Sequence, residues 1–229
     1  MSHRVPGEPL VGRRAADPPG AGPVVGVLAL QGDVLEHLRI LRAVGARAVA
    51  VKRPEELGAL DGLVIPGGES TTIGKLAEMY GLMHPLRGLL ADGLPAFGTC
   101  AGAILLGRVA LGNDGQPSGQ PLLGVMDTVV RRNAFGRQVD SFEADLDIPG
   151  VDGGPLHAVF IRAPWIEETG PDVEVLATVD PPDREGRPTG DKVVLARQGR
   201  ILASAFHPEL TGDDRLHRLF VEAIIEGEV

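Results

Sequence analysis

The sequence predicts an α/β fold, a three-layer sandwich with a mainly parallel central sheet and some antiparallel strands in the C-terminal half. Two observations carry this. From Val24 onward, strand-length apolar blocks alternate with amphipathic stretches and are separated by turns rich in Gly and Pro. Aromatic residues make up only 3% of the chain, so the core must be filled by Val, Leu, Ile and Ala, the residues that suit α/β layers. Parallel strands joined through helices need right-handed crossovers, which cover both faces of the sheet.

The elements follow in order. Val24 to Leu30 reads as a fully buried strand, and Gln31-Gly32 turns it into a helix opened by Asp33 as N-cap, with Val34, Leu38, Leu41 and Gly45 on one face. Further strands are expected at 46–51, 60–65 and 94–98, with helices near 71–80, 83–92 and 101–107. Beyond residue 120 the blocks shorten into strands at 123–131, 138–147, 156–161, 173–179, 192–197 and 201–206. A last helix over 213–226 carries Leu216, Leu219, Phe220, Ala223 and Ile224 at helical spacing. Asn113 to Pro121 and Asp180 to Asp191 are rich in Gly, Pro and charge and read as exposed loops. Residues 1–23 hold five Pro and four Gly and no continuous apolar stretch, so they read as a flexible extension ahead of a single domain over 24–229.

Composition narrows the function. The 229 residues, 43% hydrophobic and 23% charged, have the balance of a globular domain. With 22 Lys and Arg against 31 Asp and Glu, the net charge of −9 argues against nucleic acid and against an anionic membrane surface as partners. Apolar runs are strand-sized, far short of the roughly 20 residues that span a bilayer. The single cysteine, Cys100, permits neither an intrachain disulfide nor a cysteine-based zinc site, and a cytoplasmic setting is expected.

That cysteine sits in the most informative segment, Leu94-Pro-Ala-Phe-Gly-Thr-Cys-Ala-Gly-Ala-Ile-Leu-Leu106, where an apolar strand runs through Gly98-Thr-Cys-Ala-Gly102 into a helix. This is the pattern of a nucleophile elbow: a strained turn tolerated only if small residues at positions −2 and +2 let strand and helix approach. Gly98 and Gly102 occupy those positions. The turn places the sulfur at a helix N-terminus, a setting that activates it. A lone cysteine is ordinarily a small buried hydrophobe; the flanking glycines point instead to a nucleophile.

A cysteine nucleophile needs a base and the base an orienting group. His207 ends the apolar run Ile201 to Phe206 and is followed by Pro208 and Glu209. In an extended segment residues i and i+2 share a side, so Glu209 can reach the His207 ring and fix its tautomer. The other five histidines, His37 and His217 among them, offer no such context. Leu63-Val-Ile-Pro-Gly-Gly-Glu-Ser-Thr-Thr72 also ends a strand, and its Gly67-Gly68 pair could turn a backbone N–H toward an oxyanion shared with the N–H of Ala101.

These features together resemble the class I, triad-type glutamine amidotransferases. Val25-Gly-Val-Leu-Ala-Leu-Gln-Gly32, Pro66-Gly-Gly-Glu-Ser-Thr-Thr72, Arg132 to Asp145, Val159-Phe-Ile-Arg-Ala-Pro164 and Phe206-His-Pro-Glu-Leu210 are similar to one family in that class, the glutaminase subunits of pyridoxal 5'-phosphate synthase. The resemblance runs from Val24 to the C-terminus, and the Arg132 to Asp145 segment is its most specific part. It implies a flavodoxin-like fold and a catalytic triad of Cys100, His207 and Glu209. It further implies a glutamine pocket of Gly68, Glu69, Ser70, Arg132, Ile161 and Arg162, and a place for Gln31 near the oxyanion loop and the partner interface. The implied partner is a β/α-barrel synthase subunit in a large hetero-oligomer, and the glutaminase step needs no metal or organic cofactor. Residues 1–23 and a long loop near 181–190 depart from the family pattern without touching its motifs. The competing readings are a glutaminase serving another synthase, a cysteine hydrolase or peptidase on the same fold, and a catalytically silent binding subunit.

Overall fold

The computed structural model describes residues 22–134, 141–181 and 190–227. The expected extension, except Gly22 and Pro23, most of the 181–190 loop, and the Phe135 to Asp140 stretch of the specific segment lie outside the described residues.

The first half follows the expected alternation: β1 (Val24–Leu28), α1 (Val34–Ala43), β2 (Arg47–Val51), β3 (Gly62–Ile65), α2 (Ser70–Met79), α3 (Met83–Ala91), β4 (Ala96–Thr99) and α4 (Ala101–Leu106). Then come β5 (Gly107–Leu111), β6 (Met126–Arg131), β7 (Ser141–Leu146), β8 (Leu156–Ile161), β9 (Trp165–Thr169), β10 (Glu174–Val179), β11 (Lys192–Gln198), β12 (Ile201–Ser204) and α5 (Arg215–Glu226). The main sheet runs β2-β1-β3-β4-β12-β11-β9-β6-β5, with β10 paired to β11. Pairings from β2 through β12 are parallel, as is β5 with β6, whereas β11 pairs antiparallel with β12, β9 and β10. The sheet is thus mixed and mostly parallel, with its antiparallel strands in the C-terminal half.

Alternation along the buried strands sends side chains to two cores. Leu63 and Ile65 of β3, Ala96 of β4, and Ile201 and Ala203 of β12 join Ile73, Leu86 and Leu105 from α2, α3 and α4 on one face. On the other, Val64, Phe97 and Leu202 join Leu38 and Leu41 of α1 and Leu216 and Phe220 of α5. This second face is closed by the β7–β8 hairpin, a separate two-stranded sheet whose Phe160 is fully buried.

Four expectations need correction. Strands β5 and β9 are additional to the expected elements: Gly107, expected as the end of a helix, leaves α4 directly into β5, and the acidic run Trp-Ile-Glu-Glu-Thr of β9 carries too few apolar residues to announce itself. The strand expected at 123–131 begins only at Met126, because Leu123, Gly124 and Val125 give their N–H groups to Leu105 and Leu106 at the end of α4. Of the 138–147 strand, 141–146 is observed, and 138–140 lie outside the described residues. Asp33 precedes α1 as expected, but its side chain makes no capping hydrogen bond.

Candidate active site

The site forms where adjacent parallel strands end. β1, β3, β4 and β12 lie side by side, so Gln31, Gly67-Gly68, Cys100 and His207 emerge along one edge of the sheet. Open α/β sheets collect ligands at this edge, near the point where strand order reverses, here between β1 and β3.

Cys100 links β4 to α4 with φ 48° and ψ −100°, a left-handed backbone that a side-chain-bearing residue rarely adopts. A Cβ on Gly98 would lie 2.7 Å from the Gly102 carbonyl carbon, and one on Gly102 would lie 2.0 Å from the Ile65 carbonyl oxygen. Both contacts are with backbone that cannot yield, so the elbow needs glycine at both positions. The Cys100 N–H is fixed at 2.8 Å from the Ser204 carbonyl on β12, which locks the turn to the strand that delivers His207. The thiol is free and mostly buried.

His207 and Glu209 meet as the Pro208 turn requires: Nδ1 is 2.6 Å from Glu209 Oε1, and both side chains are buried. A second carboxylate, Asp33 Oδ2, stands 3.4 Å from the same Nδ1. Burial pulls the imidazole down, but hydrogen bonds with Asp33, the Cys100 side chain and Glu209 overcome it and push His207 up to about 12. Glu209 is raised by burial, against the pull of His207. Asp33 is held below the usual carboxylate range by its hydrogen bond to His207. Gly67 packs so closely on the ring that a Cβ would sit 2.4 Å from His207 Cε1.

Cys100, His207 and Asp33 open onto a cleft of about 370 Å³. Gln31, Gly68, Glu69, Ser70, Arg132, Ile161 and Arg162, expected around a substrate or oxyanion, all line it with Cys100 and His207. Ala101, named with Gly68 for the oxyanion, follows Cys100 and is buried, and Glu209 stands behind His207. Glu69 caps α2 by accepting from Thr71 N (3.1 Å) and Thr72 N (2.7 Å), and Arg132 Nη2 donates to it at 2.9 Å. Although partial burial opposes it, hydrogen bonds from the hydroxyl and backbone N–H of Thr72 and then of Thr71 lower Glu69 to about 2, and with Arg132 beside it the cleft presents a carboxylate–guanidinium pair. Ser70 is buried and donates to Gln120 Oε1 at 3.1 Å. Gln31 Oε1 accepts the Glu69 N–H at 2.7 Å, and Gly68, at φ 147°, packs on the same side chain. Among the described residues, the non-glycine positions with positive φ are Cys100, Asn133 and Arg162, and all three line this cleft. Backbone strain of this kind concentrates where a site must hold a set shape.

Sequence reasoning missed Asp33 and the buried pair His37 and His217. The signal for His37 was a titratable ring four residues after Asp33 and four before Leu41, on the apolar face of α1. His37 Nε2 is 3.2 Å from Thr99 Oγ1 and 3.5 Å from Glu209 Oε2, and Nδ1 is 2.9 Å from His217 Nε2.

A cysteine elbow joined to a His–Glu pair at the edge of a mixed, mostly parallel sheet defines the class I glutamine amidotransferase class. The chain belongs to the SNO glutamine amidotransferase family, whose match covers residues 27–226. It is 61% identical over 206 residues to the pyridoxal 5'-phosphate synthase subunit PdxT of Acidothermus cellulolyticus, covering 90% of this chain and 96% of that protein. The PdxT of Nocardia farcinica is 58% identical over 212 residues, covering 92% of this chain and 90% of that protein. A crystal structure of a glutamine amidotransferase superposes with a TM-score of 0.77 at 50% identity, covering 87% of this chain and 98% of that one. PurLQS from Thermotoga maritima, 14% identical, shares the fold with a TM-score of 0.58, covering 90% of this chain and 99% of that one.

Proposed function

We propose that this chain is the glutaminase subunit of a pyridoxal 5'-phosphate synthase, hydrolysing L-glutamine to L-glutamate and ammonia and delivering the ammonia to a synthase subunit. The observation that carries the reading is the convergence of Cys100 and His207, the latter backed by Glu209, on a cleft walled by the Arg132–Glu69 pair, in a chain 61% identical to a PdxT.

Free glutamine carries an α-carboxylate and an α-ammonium, and the cleft offers a cation and an anion side by side. Arg132 takes the carboxylate, Glu69 the ammonium, and Ile161, Arg162 and Ser70 bound the remaining space. This orientation brings the side-chain amide to Cys100. Cys100 adds to the amide carbon as a thiolate paired with the already protonated His207, and the N–H groups of Gly68 and Ala101 receive the negative charge that develops on oxygen. The tetrahedral adduct collapses when His207 protonates the nitrogen, breaking the C–N bond and releasing ammonia. Water, giving a proton to His207, then attacks the γ-glutamyl thioester, and the Cys100–carbonyl bond breaks to free glutamate and the thiolate. Glu209 orients the ring through both halves.

Ammonia loses its nucleophilicity on protonation, so direct transfer to a partner is advantageous. We assign that partner as a β/α-barrel synthase subunit in a hetero-oligomer, working in the cytoplasm, with Gln31 at the joint between the oxyanion loop and the partner. Among the described residues no helix is long and apolar enough to cross a membrane.

The test is to trap the thioester. Acid quenching during turnover of glutamine should yield a γ-glutamyl adduct on the peptide carrying Cys100, seen by mass spectrometry and missing from Cys100→Ala. An adduct on any other residue would overturn the assignment.

A further inference from the structure

Polar side chains continue past Glu209 into the interior. The Glu209 Oε1 is committed to His207, while Oε2 is buried and without a hydrogen-bond partner among the described residues. A buried carboxylate oxygen left bare costs stability and favours protonation, which would rob the triad of its anion. His37 Nε2 is 3.5 Å from that oxygen, and behind His37 stands His217. Both rings are fully buried. Burial, then the nearby His217 and His207, hold His37 well below the ordinary histidine value, and burial takes His217 down to about 4. Each ring is therefore neutral and carries one N–H.

Two proton arrangements are open to the pair. If His37 donates from Nδ1 to His217 Nε2, then His217 must carry its own proton on Nε2's neighbour Nδ1, hence leave Nε2 bare to accept. That Nδ1–H would have no hydrogen-bond partner among the described residues, and the bare His37 Nε2 would face the Glu209 anion. In the other arrangement His217 donates from Nε2 to His37 Nδ1, and His37 Nε2–H points at Thr99 Oγ1 and Glu209 Oε2. Only a lone pair on His217 Nδ1 is then unpartnered, which costs less than a buried donor, and the proton faces the negative charge.

We infer that His37 is a positioning residue for Glu209, donating from Nε2 toward its outer carboxylate oxygen, and that His217 sets the His37 tautomer. The inference deepens the glutaminase reading and rests on it. Thr99, which immediately precedes the nucleophile, shares the donor, so α1, α5, β4 and the Pro208 turn are tied together beneath the triad. The 3.5 Å separation is longer than a formed hydrogen bond, and catalytic hydrogen bonds commonly tighten when substrate is bound. The titratable or charged groups facing the pair are Glu209 and His207 beside His37 and Asp214 beside His217.

The experiment measures glutamate release by the complex with the synthase subunit. His37→Leu should lower kcat about 10- to 100-fold, the worth of one hydrogen bond to a charged group, with KM for glutamine unchanged. The acid limb of its pH profile should move to higher pH, since Glu209 loses a donor that favours its charge. His37→Gln, which keeps an N–H near the Nε2 position, should recover most of kcat. A His37→Leu enzyme with the parent's kcat and profile would overturn the inference. Nitrogen NMR of the imidazoles in the unaltered protein decides the matter even if the variant does not fold: the proton should sit on Nε2 of both His37 and His217, and a proton on His37 Nδ1 would also overturn it. An unaltered complex that releases no glutamate would count against the glutaminase reading instead, and the NMR result would still decide the tautomers.

Discussion

At the scale of single residues, the site is set by what surrounds His207. Asp33, Cys100 and Glu209 all stabilise its protonated form against burial and hold it up to about 12. A group raised in the folded state adds stability that is fully present below its unfolded value, near 6.5, and is lost as pH rises toward the folded value. Asp33→Asn should therefore destabilise the protein most between the ordinary values of the two groups, 3.8 and 6.5, with the difference shrinking in alkaline solution as His207 loses its proton and in strong acid as Asp33 gains one, as pH-resolved urea unfolding would record. A destabilisation that grows with pH in alkaline solution would contradict the assignment. Chemical logic made Cys100, His207 and Glu209 legible in the sequence, because an elbow needs flanking glycines and a His-Pro-Glu run needs no tertiary information to bring ring and carboxylate together. Asp33 was legible only as a cap. Its actual role depends on β1 and β12 ending at the same edge, which is a property of strand order and not of local spacing.

At the scale of elements, two junctions govern the cleft. The approach of α4 to β3 leaves no room at Gly102, where a Cβ would meet the Ile65 carbonyl oxygen at 2.0 Å. Gly102→Ala should cost about 1–3 kcal/mol, read as a lower urea midpoint, and should depress turnover by shifting Cys100. The start of α2 depends on Glu69, which caps it and pairs with Arg132. Its lowered carboxyl, at about 2, adds stability present above the unfolded value of 4.5 and lost as pH falls through about 2. Glu69→Ala should cost about 1 kcal/mol at neutral pH. The gap from the parent should close in acid, and KM for glutamine should rise. The parallel half was readable because its strands are continuous apolar runs. β5 and β9 were not, because each lies toward the partly exposed end of the sheet and alternates weakly, so partnering with β6 and not composition makes them strands.

At the scale of the molecule, the sheet order is what gathers residues 31 to 209 into one site. Two cores, one under α2, α3 and α4 and one under α1, α5 and the β7–β8 hairpin, clamp the parallel strands so that their ends stay level. Phe97 and Phe220, packed 5.8 Å apart on the second face, bind β4 to α5. Phe220→Ala should cost about 3–5 kcal/mol in urea unfolding, and it should loosen His217 along with α5. The α/β class was visible in the alternation of blocks, but the separate hairpin was not, since two adjacent strands give no sign of which sheet they join.

The most direct test of the central claim is glutamate release from glutamine by the protein alone, with the synthase subunit added, and by Cys100→Ala under the same conditions. Release that rises when the synthase subunit is present and vanishes in Cys100→Ala is the expected result. Release that persists in Cys100→Ala, or its absence from the complex with Cys100 verified as reduced, would contradict the account.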